Sequence, residues 1–286
     1  MISIKDRQVG YYNLVFELIP GQSRESALDL FTGLGLQKSL AEGYEFLLEK
    51  YEPGNGVFFF GAAFGGLIAS RLGNLLELVG VLRPENRAAI GAVLELARQP
   101  PERAKDLAEG LKATFPHECS PYFLGICDTL TQTAWLCPII HPAYSTGIPN
   151  LPIGRHALAI DEPRAFFHQN LWSPPTQSQD LKQVWFVGSH ADVAGGYPEQ
   201  ESGLSGIALE WMVREAMLAG LVINEERAAR AFGATGEFSA PDAIAPQHRP
   251  SGGLWWLFEY LPFRILDSST NPPTRKWRIS LGRGRP

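Results

Sequence analysis

Along this chain, short runs that are apolar at every position alternate with longer stretches in which apolar residues recur at helical spacing. Three runs stand out: 57–60 (Val-Phe-Phe-Phe), 122–126 (Tyr-Phe-Leu-Gly-Ile) and 184–187 (Val-Trp-Phe-Val). Runs apolar on both faces suit strands buried inside a parallel sheet. Between them, Leu36, Leu40, Tyr44, Leu47, Leu48 and Tyr51 form one stripe, with Lys38, Glu42, Glu45 and Glu49 opposite, and Ile68, Leu72, Leu75, Leu76 and Val79 form a second. Pro84-Glu85-Asn86 opens an Ala- and Leu-rich helix to Arg98, Pro100 and Pro101 break it, and another helix runs to about Lys112. Residues 204–218 read as a strong amphipathic helix, capped near Ser202 or Ser205 and stopped at Gly220. Residues 8–12 read as a short strand and 156–162 as helix. The stretch 135–152, rich in Pro, Gly, His and Ser, reads as a long surface loop, and 173–180 as a polar loop. The alternation predicts an α/β fold of the α/β-hydrolase kind, a mostly parallel sheet with helices on both faces, in which the three apolar runs are neighbouring parallel strands. One domain over 1–286 is expected, with 233–286 an irregular extension. Its aromatic patch at 254–261 is too short to span a membrane and reads as a docking element.

The chemistry is expected at three places. After the strand at 57–60 the chain reads Gly61-Ala62-Ala63-Phe64-Gly65-Gly66 and enters a helix. Strand, glycine turn and helix are the setting of a nucleophile elbow, Gly-x-Ser-x-Gly, in which a strained residue sits between small neighbours. Here Gly61 and Gly65 stand at the glycine positions and Ala63 at the nucleophile position. The same pattern also describes ordinary α/β units and phosphate-binding turns. Asp128 follows the strand at 122–126, at the edge where open α/β sheets form their ligand crevice; Asp also caps turns there. His190 follows the strand at 184–187 in the glycine-rich loop Gly188-Ser189-His190-Ala191-Asp192-Val193-Ala194-Gly195-Gly196. That is where hydrolases of this architecture carry a general base, and Asp192 is a second candidate acid.

Composition narrows the partners. A net charge of −5 argues against a nucleic-acid-binding surface, the arginine-rich tail from Arg275 to Arg285 being too short to alter this. Three cysteines, Cys119, Cys127 and Cys137, lack Cys-x-x-Cys spacing, so reduced cysteines in a cytoplasmic protein are the simplest reading. The charged start and the absence of a long apolar run point to neither a signal peptide nor a membrane span. No cofactor is expected: Gly-x-Gly-x-x-Gly and a phosphate-loop Lys are both absent, and one His-x-Asp is a poor metal signature.

Taken together, the Tyr51-Glu52-Pro53-Gly54 turn, Leu124-Gly125-Ile126-Cys127-Asp128-Thr129, Arg155-His156-Ala157-Leu158-Ala159-Ile160-Asp161-Glu162 and the stretch from Val184 to Pro198 resemble a family of α/β-hydrolase-like proteins of bacteria and fungi. That family is related to the catalytic domains of type VI secretion phospholipase effectors. Trp255-Trp256-Leu257-Phe258-Glu259-Tyr260-Leu261-Pro262 and Leu281-Gly282-Arg283-Gly284-Arg285 look like the fungal members. The resemblance implies hydrolysis of lipid esters by a Ser, an Asp and a His: a serine would attack, His190 would carry the proton, Asp128 would orient the imidazole, and the Phe64 N–H would help hold the oxyanion. The family elbow reads approximately Gly-Phe-Ser-Arg-Gly-Ala, so this chain departs at Ala63 and at Phe64. It also lacks the usual opening strand ending in Asp-Gly-Thr-Trp-Asn and is expected to start after it. These departures predict a protein inactive by the serine mechanism, with an apolar ring at the pocket mouth, in which serine at position 63 alone would restore little. An active hydrolase carrying an engineered Ser-to-Ala change, and a pseudoenzyme that binds a lipid, a small ester or a partner, are the alternatives.

Overall fold

The computed structural model describes residues 34–114, 119–129, 147–165, 167, 169–234, 236, 239–250, 260, 262–267 and 274–280. The strand read at 8–12, most of the loop at 135–152 and most of the aromatic patch at 254–261 lie outside them.

The chain enters through α1 (Leu34–Lys50), then β1 (Val57–Ala62) and α2 (Phe64–Val79). A 3₁₀ turn (Pro84–Ala89) leads to α3 (Ile90–Leu96) and α4 (Pro101–Thr114). After β2 (Pro121–Cys127) come β3 (Ile153–Ala159), β4 (Asp180–Phe186), a short α5 (His190–Ala194), α6 (Gly203–Leu218) and α7 (Glu225–Ala231). Within the stretch read as irregular, β5 (Phe263–Asp267) and β6 (Thr274–Arg278) pair antiparallel.

β1 to β4 form one sheet in sequence order, and every pairing is parallel. The three apolar runs are therefore parallel strands of one sheet, but β3 lies between β2 and β4 where the sequence predicts direct neighbours. That strand is the segment read as helix at 156–162. Its Ala-Leu-Ala content favours helix by intrinsic propensity, but every residue from Gly154 to Ala159 is buried between two strands, and the packing overrides the propensity.

Helices cover both faces. Phe59, Leu124 and Ile126 share the large core with α2, whereas Phe58, Phe123 and Cys127 pack with Met212, Ala216 and Leu221 of α6 and the turn after it. α2 is buried nearly all round, Arg71 and Asn74 included, because α1, α3 and α4 enclose it on the side away from the sheet. Tyr44 fastens this layer: its hydroxyl donates to the Gly80 carbonyl at 2.9 Å and accepts from the Leu82 N–H at 3.1 Å, and burial pushes the phenol well above its ordinary pKa.

On the other face the buried Arg155 of β3 pins α6. Its guanidinium donates to Glu215 of α6, to the Asp180 carboxylate and carbonyl, and to the Gly154 carbonyl. α6 stops at Gly220 as predicted: the glycine has φ +96, and the Leu221 N–H returns to the Ala216 carbonyl. The start differs. The Ser202 hydroxyl does not cap the helix; it donates to the Glu199 carbonyl, and Ser205 donates back to the Ser202 carbonyl. Among the described residues no single helix is long and apolar enough to cross a membrane.

Candidate active site

The carboxyl ends of β1, β2 and β4 each deliver one residue to the same corner. At the end of β1 the backbone turns at Ala63, with φ 49 and ψ −117, and α2 begins at Phe64. The Ala63 N–H donates to the Cys127 carbonyl at 2.9 Å, so the turn is held against the end of β2. Strand and helix pass so closely that a Cβ on Gly61 would sit 2.3 Å from the Gly65 carbonyl oxygen. Gly65 itself faces open space, and the tight second position is Gly66, where a Cβ would meet the Thr129 hydroxyl at 2.0 Å.

At the end of β2, Asp128 also has positive φ, 39. Ala63 and Asp128 are the non-glycine residues in that region among those described. Such conformations cost of order 1–3 kcal/mol and persist where surrounding structure dictates them, and here both fall at predicted site residues. The kink turns the Asp128 carboxylate inward. Its Oδ1 accepts the Ala159 N–H at 3.0 Å, and its Oδ2 lies 2.8 Å from His190 Nδ1. Both residues are buried, at 2% and 8% exposure. An ionised carboxylate only accepts, so a neutral imidazole facing it donates from Nδ1 and presents its lone pair at Nε2.

Asp192, the second candidate acid, does not meet the His190 ring. It closes a capping box with Ser189, accepting from the Ser189 N–H at 2.8 Å and hydroxyl at 2.9 Å. It also accepts from the His248 N–H at 3.2 Å and Nδ1 at 2.6 Å. A carboxylate offers about four lone-pair sites. Three of these donors converge on Oδ2 and one meets Oδ1, and the carboxylate that faces His190 is that of Asp128.

Phe64 corrects the expectation of an apolar ring at the pocket mouth. The side chain is 5% exposed and belongs to the large core, because the first turn of α2 directs it beneath the sheet edge. Its N–H is among the first four of α2, which helix geometry leaves without an intrahelical acceptor.

Sequence reasoning missed a second tier of residues. The Glu162 side chain is fully buried, accepts the His190 N–H at 2.9 Å, and is chelated by Arg164 at 2.6 and 2.8 Å. Burial pushes the Glu162 carboxyl up, but the hydrogen bonds and charge of Arg164 and the His190 N–H outweigh it and hold the carboxyl below its ordinary value. His248 joins Asp192 to Glu201, its Nε2 lying 3.0 Å from the Glu201 carboxylate, and stacks on Tyr197 at 3.7 Å between ring centroids. A charged pair two residues apart, as at Glu162 and Arg164, was a visible signal; His248, 56 residues from Asp192, had none.

The Cys127 thiol beside the site is unreactive, pushed up to about 12 by burial and then by the Asp128 charge. Among the described residues no group of three His, Cys, Asp or Glu converges on a point that could hold a metal ion. A cleft of about 640 Å³, lined by Tyr51, Asn55, Phe58 and Tyr122, lies at the amino ends of β1 and β2, the opposite end of the strands from the elbow.

Comparison with known proteins extends the picture. A family model described as the catalytic domain of the type VI secretion phospholipase effector Tle1-like proteins matches residues 5–215. An uncharacterized protein of Saccharomyces cerevisiae is 26% identical over 162 residues, covering 52% of this chain and 23% of the yeast protein. The solved structure of the Tle1 effector bound to the VgrG spike of the type 6 secretion system aligns over 63% of this chain and 34% of that one, at 16% identity and a TM-score of 0.32. The chain thus spans less than a quarter of the yeast relative and about a third of the effector chain.

Proposed function

Because the chain belongs to the Tle1-like family of type VI secretion phospholipase effector catalytic domains, we propose that it is a lipid-ester hydrolase frame without its nucleophile, which holds an ester or acyl ligand and does not cleave it. The observation that carries this reading is the alanine in the elbow backbone, φ 49 and ψ −117, beside an assembled Asp128–His190 pair. In a relative with serine there, the hydroxyl would attack the ester carbon and pass its proton to His190 Nε2. Asp128 would hold Nδ1–H and steady the imidazolium, and the Phe64 N–H would help bind the oxyanion. Ala63 has no atom that can form the acyl bond. Loss of the nucleophile leaves about 10³- to 10⁴-fold catalysis over water at most, from binding and charge stabilisation. A reducing, cytoplasmic setting is part of the proposal, supported by the free Cys119 and Cys127.

The test is exposure of the purified protein to a fluorophosphonate probe and to a short-chain ester, alongside His190→Ala. No labelling, no burst and equal slow hydrolysis in both proteins are expected, with saturable binding of a non-hydrolysable ester analogue that perturbs the His190 ring signals. Turnover by the parent that vanishes in His190→Ala would overturn the proposal, because it would require another nucleophile.

A further inference from the structure

The base of a hydrolase must be aimed, and α5, which bears His190 at its first position, is only five residues long. A helix that short does not sustain itself, since a stable isolated helix needs about 12–15 residues. Its direction is therefore imposed from outside. The capping box through Ser189 and Asp192 closes the helix on itself but touches neither the His190 N–H nor its ring. The N–H of a first helical residue has no intrahelical acceptor.

The N–H is taken up by the chain following β3, which also touches the ring, while Asp128 at the end of β2 holds Nδ1. Two backbone ties and one side-chain tie lay that chain along the end of β4 and the loop before His190: Ile160 N–H to the Phe186 carbonyl at 3.0 Å, Asp161 N–H to the Gly188 carbonyl at 3.0 Å, and Gly188 N–H to the Asp161 carboxylate at 2.8 Å. Next along, the Glu162 carboxylate accepts the His190 N–H at 2.9 Å. Arg164 chelates the same carboxylate and lays its guanidinium 3.6 Å above the centre of the Phe167 ring. The same ring also meets the imidazole of His190, at 5.0 Å between centroids and a tilt of 58°. The path closes: backbone of His190, Glu162, Arg164, Phe167, ring of His190.

A wholly buried carboxylate is expensive to keep unless its partners are well placed, and an apolar residue of similar volume is often as stable. A buried Glu–Arg pair that closes this circuit is a feature a purely structural packing role does not require. Resting on the hydrolase-frame reading above, we propose that Glu162, Arg164 and Phe167 form a positioning clamp for His190, fixing the angle at which its Nε2 is presented to the elbow.

Among the described residues, the charged and titratable groups around His190 are Asp128 at the end of β2, Asp161, Glu162 and Arg164 on the segment after β3, Asp192 on α5 itself, and His248, which is bonded to Asp192. Glu162 and Arg164 neutralise one another. Removing either leaves the other's charge beside the imidazole, with opposite consequences. In Glu162→Gln the Arg164 charge, no longer offset by Glu162, disfavours the imidazolium, and in Arg164→Gln the Glu162 charge, no longer offset by Arg164, favours it.

The experiment is an NMR titration of the chain with its native Ala63, labelled at its six histidines, the His190 signals being those lost in His190→Gln. Relative to the parent, the titration midpoint of the His190 ring should fall in Glu162→Gln and rise in Arg164→Gln, each by about half a pH unit or more. Phe167→Leu keeps an apolar filler and should broaden or abolish the downfield Nδ1–H signal of the Asp128 hydrogen bond. If Glu162→Gln does not fold, the Arg164 and Phe167 variants decide alone. Midpoints that stay at the parent value, or move the same way in both charge variants, would overturn the clamp and leave these residues a structural role. Ester turnover by the parent would overturn the hydrolase-frame reading without altering these midpoints, so the two failures are separable.

Discussion

Replacing Gly61 by alanine tests the elbow most directly, because the cost follows from three distances. The new Cβ would lie 2.3 Å from the Gly65 carbonyl oxygen, 2.4 Å from its carbon and 2.5 Å from the Gly66 nitrogen. All three atoms are backbone in the first turn of α2, so no side chain can swing aside. Relief requires β1 and α2 to separate by most of an ångström, and α2 is the helix on which the large core is built. Overpacking of this kind costs about 1–3 kcal/mol, and an immovable backbone places Gly61→Ala near 3 kcal/mol. At about 2–4 °C per kcal/mol, thermal unfolding should fall by about 6 °C or more. The control lies four residues on. A Cβ at Gly65 meets nothing within 4 Å and the residue is helical, so Gly65→Ala should gain about 0.5–1 kcal/mol from the lower backbone entropy of the unfolded chain. Calorimetry of the two variants beside the parent should give shifts of opposite sign. A Gly61→Ala protein melting within about 2 °C of the parent would refute the close passage of strand and helix.

Three other outcomes are expected. Ala63→Ser, now that the Phe64 ring is known to lie in the core, should gain fluorophosphonate labelling, and adding His190→Ala should slow that labelling by about 10²- to 10⁴-fold, the usual worth of a general base; labelling indifferent to His190 would argue against the dyad as base. Arg155→Met should destabilise by about 1–3 kcal/mol in urea unfolding, since it removes the buried partner of the Glu215 carboxylate, a loss softened by Lys182, while the exposed Asp180 carboxylate stays solvated; a neutral effect would show that this ion cluster does not pin α6. For His248, burial pulls the imidazole down, but the hydrogen bonds and charges of Asp192 and Glu201 raise it above its ordinary value. A raised folded-state value gives stability that is full below the unfolded value of about 6.5 and lost as pH climbs through the folded one, so the stability gap between parent and His248→Gln should shrink from pH 6 to pH 9; a constant gap would count against the charged bridge.

How far the sequence could be read depended on the range of the interaction. The three apolar runs announced themselves because none carries a charged residue, but only the middle one became a strand flanked on both sides: β1 and β4 lie at the edges of the four-stranded sheet and leave Phe60 40% and Trp185 44% exposed. The glycine turn after β1 was legible as a tight turn, a pattern that ordinary α/β units share. β3 hid for the converse reason: Ala157, Leu158 and Ala159 carry good helix propensity, and what makes them strand is contact with β2 and β4, which no local window contains. That Asp128 and His190 stand past the carboxyl ends of two parallel strands was legible from position, and the structure brings their side chains together although 62 residues separate them. The choice between Asp128 and Asp192 was not legible, because it turns on His248 arriving from 56 residues away to occupy Asp192. Phe64 was misjudged at the level of direction: adjacency in sequence to the nucleophile position says nothing of which way a helix's first turn points its side chain.

The pose of residue 63 is enforced by its neighbours. The grip of the Cys127 carbonyl on its N–H, the Gly61 crossing and the burial of α2 would hold a serine, a cysteine or a glycine in the same place as the alanine now there. The corner therefore behaves as a socket whose shape is independent of its plug. A change of side chain at position 63 requires no refolding of the sheet beneath it. The same independence lets other side chains be mounted at position 63, facing the Asp128–His190 pair, without disturbing the turn that carries them.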